Sequence, residues 1–172
     1  MANQPMTLYK LMILFMLDHL EFPLTGSTMS EFIVSRGYTS YFHFQQSLNE
    51  LKQTGFLNTD SVRNVTSYSL SEEGKEAIRL FSSGIPGEIK QDILDFFDEN
   101  KLRLRKEIDV ISDYHIQDNG EYLVRMQIND RGNLLFAIDL NVVTRSQAID
   151  ICDKWSEKSD AVYQQIIDML FV

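Results

Sequence analysis

The stretch Leu24-Thr25-Gly26-Ser27-Thr28-Met29-Ser30-Glu31, followed by Gly37-Tyr38-Thr39-Ser40-Tyr41-Phe42-His43-Phe44-Gln45-Gln46 and closed by Thr54-Gly55-Phe56-Leu57, decides how this chain is read. Thr28 and Glu31 stand at capping-box spacing, which starts a short helix at Met29, and Gly37 is placed to end it in the left-handed conformation. Thr39 then caps a second helix that runs to Thr54, with Gly55 as its stop. On a 100° wheel Tyr41, Phe44, Leu48 and Leu51 share a core face, while Phe42, Gln46, Asn49 and Gln53 lie opposite, with His43 and Glu50 beside them. Phe56-Leu57 and Tyr68-Leu70 read as strands flanking a polar loop, Asp60 to Thr66, that contains Arg63. A capped helix, a sharp turn, a second helix and a strand–turn–strand form the order of a winged helix-turn-helix.

Working outward, Thr7 to Glu21 reads as a helix ended by Phe22-Pro23, because proline disfavours helical geometry in the residue before it. Ser71 caps a helix with Glu72 and Glu73 set against its dipole. Ser82-Ser83-Gly84 marks a boundary, and Pro86 opens a long helix to about Lys106. Leu94, Leu102 and Leu104 fall outside its apolar stripe.

From Glu107 the hydrophobic period changes to two, giving three strands with one buried face each. Parity sets the turns. Three-residue loops at Asp118-Asn119-Gly120 and Asp130-Arg131-Gly132 keep the apolar residues on one side, and the first places Asp113 opposite Arg125 as an ion pair. The other face carries Ile111, Leu123, Leu135 and Ala137, which calls for a further layer. Thr144 with Gln147 is a capping box opening a helix through Trp155, and a last helix carries Tyr163, Ile166, Ile167 and Leu170. The expected fold is α+β: an N-terminal winged helix-turn-helix over residues 1–84, then a long linking helix and a three-stranded antiparallel β-meander covered by two C-terminal helices over 85–172.

Composition narrows function. With 172 residues, 44% hydrophobic and 24% charged, the chain is of ordinary globular type. The apolar run Leu11–Leu17 is too short to span a bilayer, and a single Cys152 fits a reducing cytoplasm. The net charge of −9 opposes indiscriminate nucleic-acid binding. That charge is uneven: residues 36–68 hold Arg36, Lys52 and Arg63 against Glu50 and Asp60. His19, His43 and His115 are scattered, with no paired cysteines, no phosphate-cradling glycine loop and no nucleophile elbow, so neither catalysis, a metal nor a cofactor is expected.

The chemistry that stands out is the amide flank of the second helix. Gln and Asn match the donor–acceptor edge of adenine, and Phe42 can meet a thymine methyl. The expected DNA-contacting set is Thr39, Ser40, Phe42, His43, Gln46, Asn49 and Gln53 on that helix, Arg63 in the wing, and Thr28 at a helix amino end facing phosphate. Few cations are available, so two copies on a palindromic duplex are expected. The C-terminal half would then supply dimerisation or hold a small-molecule effector. The rival reading is a protein-interaction adaptor that uses the same fold without DNA.

The segments Tyr38–Gln46, Tyr68-Ser69-Leu70-Ser71-Glu72-Glu73-Gly74-Lys75, Asn119-Gly120-Glu121-Tyr122 and Cys152-Asp153-Lys154-Trp155 resemble an uncharacterised bacterial family of predicted winged-helix transcriptional regulators. The amino-terminal half is also similar to PadR and MarR repressors. Those resemblances imply a homodimer that contacts DNA through the helix after the turn and through the wing.

Overall fold

The computed structural model describes residues 4–171. Among the described residues the fold is α+β, with six α-helices and two three-stranded antiparallel sheets, and the chain divides into two compact units. Among the described residues no helix is long and apolar enough to cross a membrane.

The first unit contains the chain to Ser61 and Val65–Leu104. Its centre is α1 (Gln4–His19), whose run from Leu11 to Leu17 is buried on nearly every side, as expected for a helix without a polar face. Around it pack α2 (Gly26–Ile33), α3 (Tyr41–Gln53) and α4 (Glu72–Phe81). The strands β1 (Leu24–Thr25), β2 (Leu57–Val62) and β3 (Val65–Leu70) form a sheet in the order β1-β3-β2, with Leu24 opposite Tyr68. Met12, Ile13, Phe32, Phe44 and Ile93 are wholly buried in this core. Each such side chain contributes roughly 1.5–3 kcal/mol of apolar burial.

Local chemistry shifts two expected boundaries. Thr25, not Thr28, caps α2: its hydroxyl oxygen accepts the Thr28 N–H at 3.1 Å. Ser40, not Thr39, caps α3. The expected polar loop of the hairpin is also shorter. Strands β2 and β3 run on to a two-residue turn, Arg63-Asn64, with φ of 48° and 63°. That is the pattern of a turn whose twist matches the strands it joins.

Helix α5 (Gly87–Asp109) starts directly after Pro86, whose carbonyl accepts the Lys90 N–H at 3.1 Å. Division by packing falls inside α5 rather than after Gly84. Phe96, Phe97 and Leu104 belong to the first core, so Leu104 is interior while Leu102 is exposed.

The second unit holds Val62–Asn64 and the chain from Arg105 onward. Its sheet is a meander of β4 (Val110–Ile116), β5 (Tyr122–Asp130) and β6 (Asn133–Val142). The first hairpin has the expected three-residue loop. Gln117 donates to Glu121 across its mouth at 2.8 Å, and Gly120 has φ 82°. The second does not. Arg131-Gly132 is a two-residue turn with both φ positive, which alone would put the apolar residues of β6 on the wrong face. A bulge corrects the parity: Ile128 faces Phe136 while Asn129 faces Leu134, leaving Leu135 unpaired.

Asp113 does lie opposite Arg125, but the ion pair forms with Asp139, at 3.0 Å, and Asp113 accepts its neighbour's Tyr114 N–H instead. On that outer face Ile111, Leu123 and Ala137 are half-buried. The inner face is covered by one continuous helix, α6 (Arg145–Leu170), not two. No glycine or proline interrupts it, and Thr144 and Gln147 close the expected capping box. Val124, Met126, Ala148, Cys152 and Trp155 form this second core.

Candidate nucleic-acid interface

Helix α3 is fixed at both ends by its own sequence. At the start Ser40 Oγ accepts the His43 N–H at 3.3 Å. At the end Thr54 Oγ1 donates to the Glu50 carbonyl at 2.9 Å, and Gly55 turns the chain at φ 79°. Phe44, Ser47, Leu48 and Leu51 face the core. Tyr41, expected among them, is 59% exposed. Buried Ser47 is the reason: it moves the centre of the stripe to about 70° from Tyr41 at 100° per residue.

The opposite flank is open as expected. Phe42 is 72% exposed, and His43, Gln46, Asn49 and Gln53 are exposed with it, while Glu50 beside them is half-buried. The Phe42 and His43 rings meet edge to face with centroids 5.7 Å apart. Gln46 Nε2 donates to Glu50 Oε1 at 3.1 Å, and the Lys10 ammonium from α1 pairs with the other carboxylate oxygen. The Lys10 bond first, and the Gln46 amide second, hold the Glu50 carboxyl below its ordinary range. The i,i+4 spacing of Gln46 and Glu50 was visible in the sequence, but nothing there announces Lys10.

The turn before α3 is anchored to α5. The Tyr38 hydroxyl donates to Asp92 Oδ2, and burial together with that acceptor pushes the Tyr38 pKa up to about 12. The Arg36 guanidinium lies 5.1 Å from the Phe32 ring centroid and 5.8 Å from that of Phe96.

Three residues of the expected set sit differently. Thr28 is 2% exposed and its hydroxyl accepts from Thr25 at 3.0 Å, so that side chain does not face solvent and is corrected to a structural role. Thr39 Oγ1 is buried without a hydrogen-bond partner among the described residues. Arg63, at the hairpin tip, donates to Asp153 Oδ1 at 3.2 Å and lies 5.8 Å from the Tyr114 ring, within the second unit. Such a surface pair is worth at most about 1 kcal/mol, which leaves the guanidinium exchangeable.

Elsewhere, an open cleft of about 390 Å³ in the first unit is lined by Leu17, Asp18, Glu21, Phe22, Ser69 and Lys75. His19, His43 and His115 lie on α1, α3 and β4. Among the described residues no three His, Cys, Asp or Glu side chains are grouped to hold a metal.

A family model described as "Domain of unknown function (DUF4364)" matches residues 9–170. The chain belongs to the DUF4364 family. The match runs through both units, so a DUF4364 domain comprises the hairpin-bearing helical unit and the meander together. No curated protein and no solved structure matches the chain.

Proposed function

We propose that this DUF4364 domain is a winged helix-turn-helix protein that binds double-stranded DNA in a sequence-dependent way as a homodimer and thereby regulates transcription. The observation that carries the reading is the exposed flank of α3. Phe42, His43, Gln46, Asn49 and Gln53 face solvent on a helix preceded by the α2 turn and followed by the β2–β3 hairpin. Major-groove readers place such a helix against base edges, and carboxamides recognise adenine there. Charge along the chain supports the same segment. Residues 36–68 carry three cations against two anions in a chain of net charge −9. The hairpin brings Arg63 to phosphate once it leaves Asp153. The second unit supplies dimerisation.

The test is titration of labelled duplexes selected from genomic fragments, at several salt concentrations. DNA binding gives a linear fall of log K with log salt as counterions are released. Gln46→Ala with Asn49→Ala lowers discrimination between selected and random duplex by roughly 1–3 kcal/mol per lost bidentate pair. A chain that retains no duplex at low salt sinks the proposal. The second reading is a protein-interaction adaptor, favoured by the net charge of −9 and the exposed Tyr41 and Phe42. It predicts capture of a protein partner with no salt-dependent duplex binding.

A further inference from the structure

We infer that the DNA half-site read by α3 is built of A·T pairs, with the thymine C5-methyl as one recognised group. This rests on the proposal that α3 is the reading helix, and it follows from which donors and acceptors the exposed flank holds and which it lacks.

Guanine shows two acceptors in the major groove and is matched by the donor-only fork of arginine or by lysine, whereas adenine shows an acceptor beside a donor and is matched by a carboxamide. The flank offers three carboxamides, Gln46, Asn49 and Gln53, and no arginine. Lys52, the one lysine on α3, lies about 120° round the helix from Gln46 at 100° per residue, and Lys10 beside Gln46 is paired with Glu50. Cytosine would be read by a carboxylate accepting from its amino group. Glu50 is the one carboxylate on α3, and Lys10 and Gln46 occupy its oxygens. That same bond orients Gln46: one N–H points to Glu50, which leaves Oε1 and the other N–H to meet the adenine edge. Phe42 completes the set. It is a 72% exposed phenyl beside three amides, an apolar surface of the kind that covers a thymine methyl.

The test is selection of duplexes from a random library with the full chain, followed by binding of the enriched duplex in two forms, one with thymine and one with deoxyuridine in its place. Enrichment of A·T-rich half-sites is expected. Removing the methyl should weaken wild-type binding roughly fourfold, the worth of one buried CH₂. Phe42→Ala should bind both forms alike, and because Phe42 is exposed the variant keeps its core. Gln46→Arg should move the preference at one position towards guanine. A G·C-rich motif, or equal wild-type affinity for the two forms, overturns the inference while duplex binding itself stands. Retention of no duplex at all defeats the reading of α3 as a DNA helix.

Discussion

Gly74 shows how tightly one residue can be constrained. Ser71 begins the contact: its N–H donates to the Phe56 carbonyl at 3.0 Å, and its hydroxyl donates to the Gly55 carbonyl at 2.6 Å while accepting the Gly74 N–H. The first turn of α4 is thus drawn onto the end of α3, and a Cβ on Gly74 would overlap the Phe56 carbonyl oxygen. Backbone cannot step aside as a side chain can. Gly74→Ala is expected to cost about 3 kcal/mol, read as a lowered urea midpoint. The same close approach gives physical content to the glycine in the Tyr68–Lys75 segment. Tyr38 makes a second prediction. Its pKa is raised to about 12 from 10.0, by burial and by the bond to Asp92, so the folded state holds the phenolic proton more tightly than the unfolded chain. The resulting stabilisation is complete below pH 10 and drains as pH rises towards 12. Ultraviolet titration of tyrosinate should show a late component that Tyr38→Phe removes. An unchanged titration curve in that variant would refute the assignment.

At the scale of elements, β6 contains a residue that its pairing does not use. Leu135 is the bulge, so excising it leaves Ile128 opposite Phe136 and keeps the inner face of the sheet intact. That deletion should change stability by only roughly 1 kcal/mol. Excising Asp113 from β4, whose register is regular, turns one end of the strand over and should cost ~3 kcal/mol or more. Thermal unfolding of the two deletions decides it, and equal losses would mean that the bulge is not a spare residue. These elements also separate what the local sequence dictates from what only packing decides. Caps at Ser71 and Thr144 and the loop ending at Gly120 were legible, because each depends on residues within a few positions of one another. The Arg131-Gly132 turn departs from the expected three-residue loop because parity has two solutions, a longer loop or a bulge, and an apolar Leu135 fits either. The Arg63-Asn64 turn is hidden in the sequence for a different reason: arginine is an uncommon residue at positive φ. On the candidate site, the open flank of α3 followed from the helical period. The tether from Lys10 to Glu50 did not, because only tertiary packing brings positions 10 and 50 together.

At the scale of the molecule, two separate cores are joined through a continuous α5, and the end of α6 is strongly apolar. Met169, Leu170 and Phe171 are 81%, 73% and 79% exposed. In the proposed homodimer this run is a surface for the second copy to cover. The full chain should sediment as a dimer, and Met169→Glu with Phe171→Glu as a monomer whose DNA-binding salt slope is halved, since each copy brings its own cations. A wild-type monomer that binds duplex with full selectivity would refute the two-copy requirement. One further consequence follows from Trp155. It is the chain's single tryptophan, 3% exposed, with its indole N–H donating to the Gln127 carbonyl at 3.3 Å. The protein therefore comes with a fluorophore installed in one half only. Its emission tracks the melting of the meander, and any change in its brightness when duplex is added would report on that unit, where Arg63 pairs with Asp153 two residues from the indole.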